Sequence, residues 1–201
     1  MITSTLGNDV IWNLPNILTW LRILAIPLVI VLCYFGEQEP LRWFDPATGL
    51  VFAGAAITDS LDGYLARRLG QTTPLGAFLD PVADKLIVTV SLVLIVSRDA
   101  RWFMTLAAIV IIGREIAVSA LREWMAQLGE RARVAVSALG KYKTIVQMVG
   151  LGMLLYRHDI LRLPIYRVGA WLLAIAAVLT LVSMVAYLRA AAPVLLRQPQ
   201  G

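Results

Sequence analysis

Apolar residues gather in six long stretches along the chain, separated by short segments that contain polar residues, prolines or glycines. A helix needs about 20 predominantly apolar residues to cross the hydrocarbon core of a bilayer, and each stretch is close to that length. The pattern therefore predicts an all-α, polytopic membrane protein with six transmembrane helices. The predicted spans cover residues 16–35, 47–68, 75–96, 102–124, 139–156 and 165–188.

The composition agrees with this prediction. Apolar residues make up 59% of the 201 residues and charged residues 15%. A water-soluble domain of this size could not hide so much apolar side chain, and a disordered chain would be far more polar. Six spans use roughly 120 residues, so we expect residues 1–201 to form a single membrane-embedded domain. The net charge of +5 favours a membrane with anionic lipid over nucleic acid as the partner.

The distribution of basic residues favours one orientation. An even number of spans puts both termini on the same side, together with the loops after the second and fourth spans. Lysine and arginine concentrate in cytoplasmic loops, so the termini are predicted to be cytoplasmic, although arginines also occur on the other side. The basic residues assigned to the side of the termini are Arg67, Arg68, Arg122, Arg131, Arg133, Lys141, Lys143, Arg189 and Arg197.

Four aspartates around the second loop carry the strongest chemical signal. Asp59 and Asp62 lie three residues apart near the end of the second span. Asp80 and Asp84 lie four residues apart near the start of the third span. On a helix each pair shares one face, and antiparallel neighbours joined by one short loop can bring both pairs together.

Four carboxylates at one membrane depth repel one another and are costly to desolvate. Protonation, pairing with nearby cations such as Arg67, Arg68 and Lys85, or metal binding would each relieve this cost. Mg²⁺ prefers oxygen ligands and commonly joins protein carboxylates to substrate phosphates, and two ions could share the four groups. Solvated carboxylates at helix ends would be the ordinary explanation of one aspartate, but two pairs on adjoining spans favour a functional site.

Small residues lie beside the aspartates. Gly63 follows Asp62 directly, and Ala66 is one turn beyond Asp62. Gly76 is one turn before Asp80. These positions leave room for a ligand or for close packing between helices, and the two explanations are compatible.

The spacing of these residues resembles the CDP-alcohol phosphotransferase motif at every fixed position. The matching pattern is Asp59-x2-Asp62-Gly63-x2-Ala66-Arg67-x8-Gly76-x3-Asp80-x3-Asp84. The segments NLPNILTWLRI, GREIAVSALREWMAQLG and SALGKYKTIVQM extend the resemblance to the members of this family that use glycerol 3-phosphate.

The resemblance implies a six-helix membrane fold, a homodimer, and an active site on the cytoplasmic side of the inner membrane. It also implies two divalent cations, Mg²⁺ or Mn²⁺, and Asp84 as the catalytic base. The implied metal ligands are Asp59, Asp62, Asp80 and Asp84, and the implied CDP-lipid-binding residues are Asp59, Asp62, Gly63, Ala66, Arg67 and Gly76.

The implied reaction transfers a phosphatidyl group from CDP-diacylglycerol to glycerol 3-phosphate and releases CMP. A phosphorylated acceptor carries its own negative charge, so we expect a second anion site. Arginine and lysine are the side chains that bind phosphate. The candidates are Arg114, Arg122, Lys141 and Lys143. Arg114 and Lys141 lie close to membrane depth, which favours substrate binding over contact with lipid headgroups.

Several alternatives stay open on the sequence alone. The aspartate motif indicates the CDP donor, so inositol phosphate, serine or phosphatidylglycerol could replace glycerol 3-phosphate as acceptor. A cation transporter or a scaffold protein is less favoured, because the acidic residues cluster near one membrane face. Arg22, almost two turns inside the first span, either borders the cavity or extends its side chain to the interface. His158 is expected to be a solvated loop residue.

Overall fold

The six predicted helices are present in the computed structural model, which describes residues 14–38, 43–69, 74–129 and 138–195. Within those residues the fold is all-α, which confirms the predicted class, and the extended structure is limited to one isolated bridge between Ile160 and Leu163. The helices are α1 (Leu14–Gln38), α2 (Phe44–Leu69), α3 (Pro74–Arg98), α4 (Trp102–Gln127), α5 (Ala138–Tyr156) and α6 (Ile165–Leu195).

Among the described residues, three helices are long and apolar enough to cross a membrane by themselves. The qualifying segments lie in α1, α4 and α6, with mean hydropathies of 2.3, 1.8 and 2.4. Charged residues interrupt the apolar sequences of α2, α3 and α5, which reduces the apolar length of those helices. A six-helix bundle in a membrane is thus supported, while the crossing of the bilayer by α2, α3 and α5 stays a prediction.

The bundle is organised around two central helices. The first, α1, packs against α2 and α3, while α5 packs against α6, α2 and α3. The fourth helix, α4, contacts α6 extensively and α3 to a smaller extent. A shared core contains Val29, Phe52, Ile87, Ile111 and Leu154, each from a different helix. Burial of apolar side chains from five helices holds the ends of the bundle in fixed relative positions.

Small residues let α5 and α6 approach closely. A Cβ atom on Gly169 would lie 2.9 Å from the Cβ of Met153 and 3.0 Å from the carbonyl oxygen of Gly150. A larger side chain at that position would force the helices apart. This kind of contact is common between membrane helices, where close packing replaces the hydrophobic effect as the source of stability.

Ion pairs join four helices at the end of the bundle opposite the aspartates. Arg98, at the end of α3, is only 9% exposed, and its Nη1 lies 2.7 Å from Oδ1 of Asp45 on α2. Its Nε lies 3.2 Å from Oε1 of Glu37 on α1. Arg157, which directly follows α5, approaches Oδ2 of Asp45 at 3.8 Å. We call Glu37, Asp45, Arg98 and Arg157 the Arg98 cluster.

The short connection between α3 and α4 is stabilised by Asp99. Arg101 donates hydrogen bonds to the Asp99 carboxylate, with Nε 2.7 Å from Oδ1, and the Tyr166 hydroxyl also donates to it. The hydrogen bonds from Arg101, with a smaller contribution from Tyr166, lower the pKa of Asp99 to about 2. Asp99 therefore remains ionised near neutral pH and keeps α6 attached to the start of α4.

Replacing Arg98 should destabilise the bundle without touching the aspartate site. Arg98→Ala removes the partner that Asp45 and Glu37 share, and we expect a loss of about 1–3 kcal/mol in unfolding free energy. Thermal unfolding of the purified protein in detergent measures the change. Arg167→Ala, an exposed arginine at the same end, is the matched control. Equal melting temperatures for the two variants would contradict a stabilising role for the Arg98 cluster.

Candidate functional site

A cavity of about 820 Å³ opens at the end of the bundle where α2 ends and α3 begins. Four helices contribute to its wall, and the polar residues that line it have opposite charges. Asp59, Asp84 and Lys85 line it from α2 and α3, and Glu115, Lys143 and Gln147 line it from α4 and α5. The cavity therefore joins the aspartate motif to the predicted anion site.

The structure brings the two aspartate-bearing helices together through an arginine. Arg22 on α1 is only 1% exposed, and its Nη2 lies 2.9 Å from Oδ1 of Asp59. Its Nη1 lies 2.7 Å from Oδ1 of Asp84. The prediction that the aspartates of α2 and α3 lie close together is confirmed for Asp59 and Asp84. The side chain of Asp62 lies outside the described residues.

A second residue of α1 contacts the remaining described aspartate. The hydroxyl of Thr19, which is buried, donates a hydrogen bond of 2.6 Å to Oδ1 of Asp80. The sequence analysis treated α2 and α3 as direct neighbours. In the described residues both helices instead pack extensively against α1, which carries the donors to their carboxylates.

The donor chemistry of the aspartates fits a hard divalent cation. Carboxylate oxygens are the preferred ligands of Mg²⁺, and Asp59 and Asp84 face a common cavity large enough for a substrate phosphate. Among the described side chains, no three acidic, histidine or cysteine residues are close enough to hold a metal ion by themselves. The fourth aspartate of the motif, Asp62, is not among those side chains.

Several predicted nucleotide-site residues also have side chains outside the described part of the chain. Gly63, Ala66 and Arg67 belong to the last turns of α2, and their environment stays a prediction. Gly76 is described and is buried near the start of α3. A buried residue without a side chain, one turn before Asp80, agrees with either close packing or space for a ligand.

Two of the predicted acceptor residues, Arg114 and Lys143, share Glu115 as an ion-pair partner, and Lys143 and Glu115 line the cavity. Nη1 of Arg114 lies 3.1 Å from Oε2 of Glu115, and Nη2 donates to Oγ of Ser183 at 3.1 Å. Nζ of Lys143 lies 3.6 Å from the same Glu115 oxygen. Arg114 is 9% exposed and Lys143 is 3% exposed, so both cations are held inside the bundle. Glu115 therefore pairs with both of these cations.

This side of the cavity also retains hydrogen-bonding capacity. Within the described residues, Nε of Arg114 and Oε1 of Gln147 are buried and have no hydrogen-bond partner. Buried polar atoms are nearly always satisfied in folded proteins, so unpaired ones indicate a place where a polar ligand or water binds. An anion beside Arg114 and Lys143 would accept a hydrogen bond from Nε of Arg114, whereas Oε1 of Gln147 requires a donor such as a hydroxyl group or a water.

The other predicted cations differ in position. Arg122 is exposed on α4 and is not among the residues that line the cavity. The side chain of Lys141 lies outside the described residues. His158 lies in the connection between α5 and α6, as expected of a loop residue, although it is half-buried rather than fully solvated.

Sequence reasoning missed the contributions of Thr19 and Gln147 and left Arg22 undecided. All three are polar residues within apolar helices, and all three are buried. Thr19 and Arg22 are three residues apart, so they share a face of α1. A polar stripe of this kind was the available signal, but only the structure identifies the carboxylates that it contacts.

Comparisons with known proteins agree with the geometry of the cavity. The sequence profile described as CDP-alcohol phosphatidyltransferase matches residues 12–182. The chain is 49% identical over 187 residues to a protein of Shigella flexneri serotype 5b (strain 8401) named CDP-diacylglycerol--glycerol-3-phosphate 3-phosphatidyltransferase. Proteins of the same name from Salmonella choleraesuis (strain SC-B67) and Escherichia coli (strain K12) are 49% and 48% identical.

Each of these three alignments covers 93% of this chain and 99% of the relative. The likeness therefore includes α1, the aspartate motif and the helices that carry Arg114 and Lys143. The profile match and the near-complete alignments agree, and the chain belongs to the CDP-alcohol phosphatidyltransferase family.

Proposed function

We propose that this protein transfers the phosphatidyl group of CDP-diacylglycerol to glycerol 3-phosphate and forms phosphatidylglycerophosphate and CMP. The proposal is carried by one observation: a single cavity is lined by two aspartates of the motif, Asp59 and Asp84, and by the buried cation Lys143. Relatives that share about half of their residues with this chain carry the name of this reaction. The protein would thus act in phospholipid biosynthesis.

The family is generally dependent on divalent metal ions. We assign two ions, Mg²⁺ or Mn²⁺, to the aspartates of the motif, which are Asp59, Asp62, Asp80 and Asp84. When bound, such ions would neutralise the pyrophosphate of the donor and stabilise the departing CMP phosphate. The motif residues Gly63, Ala66, Arg67 and Gly76 are assigned to the nucleotide part of the donor.

Asp84 is assigned as the general base. The hydroxyl oxygen of glycerol 3-phosphate attacks the β-phosphorus of CDP-diacylglycerol, and the bond from that phosphorus to the bridging oxygen breaks. The electron pair leaves with CMP, and Asp84 accepts the hydroxyl proton. The exposure of Asp84 to the cavity supports this role, because the acceptor must reach it from that space. No covalent enzyme intermediate is required.

Arg114 and Lys143 are assigned to the phosphate of the acceptor. Both cations are held inside the bundle and share Glu115 as a partner, and Lys143 and Glu115 line the cavity. The guanidinium of Arg114 retains an Nε without a hydrogen-bond partner among the described residues. Arg122 and Lys141 stay further candidates for binding the acceptor phosphate. Inositol phosphate would use the same cations, whereas serine, an acceptor without a phosphate, would not need them.

A cation transporter is less well supported. Transport would need polar groups leading from the aspartates to the opposite end of the bundle. In the described residues the space between those ends contains Phe52, Ile87, Leu154 and other apolar core residues. The Arg98 cluster then ties the helices together at the far end.

We also propose how the protein is arranged in the cell. Residues 1–201 would form one domain in the cytoplasmic membrane, with the termini and the cavity on the cytoplasmic side. The basic loops support this orientation, and glycerol 3-phosphate, a charged solute, would be supplied from the cytoplasm. The homodimer implied by the family resemblance is retained as part of the proposal.

The base assignment predicts a large and specific loss of rate. Asp84→Asn keeps the size of the side chain but cannot accept the proton, so kcat should fall by at least about 100-fold. CMP release from CDP-diacylglycerol, glycerol 3-phosphate and Mn²⁺ measures the rate. Asp159→Asn, an exposed aspartate between α5 and α6, is the control and should retain full activity. Normal turnover in the Asp84→Asn enzyme would show that Asp84 is not the general base.

The acceptor assignment predicts an effect on one substrate. Arg114→Ala removes a charge-assisted contact to phosphate, and the KM for glycerol 3-phosphate should rise by roughly 10-fold or more. The KM for CDP-diacylglycerol in the same preparation is the internal control and should change little. If the donor KM rises instead, Arg114 belongs to the donor site. Activity with serine that exceeds activity with glycerol 3-phosphate in the unmodified enzyme would reject the phosphorylated acceptor.

A further inference from the structure

We infer that Thr19 and Arg22 of α1 are positioning residues that hold the aspartates in the arrangement needed for metal binding. The inference rests on the proposed metal-binding role of the aspartates. It adds a role for α1, whose residues lie outside the aspartate motif.

Arg22 forms a bridge between two helices. Its two terminal nitrogens contact different carboxylates, with Nη2 on Asp59 of α2 and Nη1 on Asp84 of α3. Only arginine presents separate N–H groups in a rigid planar fork, so a single side chain can fix two carboxylates relative to one another. The bridge therefore sets the distance between the aspartate-bearing ends of α2 and α3.

Burial makes this arrangement strongly preferred. A guanidinium that is 1% exposed inside an apolar bundle is costly unless its charge is compensated. The two carboxylates also need a nearby opposite charge, because they would repel each other without a cation between them. Arg22 and its two partners therefore stabilise one another, and alternative rotamers of any of the three would leave a charge without compensation.

Thr19 makes a corresponding contact with Asp80. Thr19 and Arg22 lie on one face of α1, and Thr19 donates to Oδ1 of Asp80. In the contacts of Thr19 with Asp80, and of Arg22 with Asp59 and Asp84, the carboxylate atom is Oδ1. The hydrogen bonds thus fix the rotation of each carboxylate group, which decides where its second oxygen points. Residues that orient ligands in this way affect metal affinity by about 10–100-fold when they are replaced.

The Arg22→Lys variant distinguishes a positioning role of Arg22 from an effect of its charge alone. Lysine keeps the positive charge but offers one nitrogen instead of a fork, so it cannot fix both carboxylates. If Arg22 acts only through its charge, the Mn²⁺ affinity of Arg22→Lys should equal that of the unmodified protein. If it positions the carboxylates, the dissociation constant of Mn²⁺ should rise by about 10-fold or more. Electron paramagnetic resonance of free Mn²⁺, titrated with purified protein without substrates, measures the affinity independently of turnover.

Arg98→Lys is the matched control for this variant. Arg98 is also a buried arginine that bridges two carboxylates on different helices, but it lies at the opposite end of the bundle. Arg98→Lys should lower thermal stability and leave the Mn²⁺ affinity unchanged. Equal losses of affinity in the two lysine variants would show a general loss of structure and would overturn the inference.

Thr19 provides a second, independent test should Arg22→Lys fold poorly. Thr19→Val removes the hydroxyl with little change in shape and should weaken Mn²⁺ binding, whereas Thr19→Ser should restore it. Thr48→Val is the control, because Thr48 is buried in α2 and its hydroxyl donates to the carbonyl oxygen of Phe44, away from the aspartates. Normal Mn²⁺ affinity in both Thr19→Val and Arg22→Lys would overturn the positioning role alone. Failure of the unmodified protein to bind Mn²⁺ would instead reject the metal assignment itself, and the positioning role with it.

Discussion

The contact between Arg22 and two aspartates is the interaction on which the rest of the site depends. Carboxylates grouped at one end of an apolar bundle repel one another, and because Asp59 and Asp84 are only partly exposed, water screens this repulsion incompletely. A buried guanidinium between Asp59 and Asp84 compensates that repulsion and joins the helices that carry them. The interaction is favourable only when all three charges are in place, so it selects one relative position of α1, α2 and α3.

The two signs of charge in the cavity correspond to the two substrates of the proposed reaction. Its acidic side is suited to cations and, through them, to a pyrophosphate. Its basic side is suited directly to a phosphate ester. Glu115 lies between Arg114 and Lys143 and compensates their charges in the protein without substrate. An incoming phosphate would therefore compete with a carboxylate for both cations, which favours an acceptor with more than one negative charge.

Much of the fold could be predicted because membrane burial imposes simple rules on a sequence. Each predicted span falls within an observed helix, and the helix ends differ from the predictions by a few residues. The aspartate pairs could be predicted because helical spacing determines which residues share a face. These inferences use only neighbours in sequence, and they need no knowledge of how the helices pack.

The remaining features depend on contacts between distant parts of the chain. Arg22 and Asp84 are 62 residues apart, and no local pattern specifies that they meet. For the same reason Lys143, rather than Arg122, is found beside Arg114 and Glu115 at the cavity. The intramembrane position of Arg22 showed that it needed a partner, but the identity of that partner depends on the rotation of α1 about its axis.

The account requires that donor and acceptor occupy opposite sides of the same cavity. The most direct test is a structure determined with Mn²⁺, a CDP-diacylglycerol analogue and glycerol 3-phosphate, with anomalous scattering used to locate the metal. The account predicts manganese and the donor pyrophosphate beside Asp59, Asp80 and Asp84, with the acceptor phosphate against Arg114 and Lys143. Manganese bound elsewhere, or an acceptor phosphate outside the cavity, would contradict it.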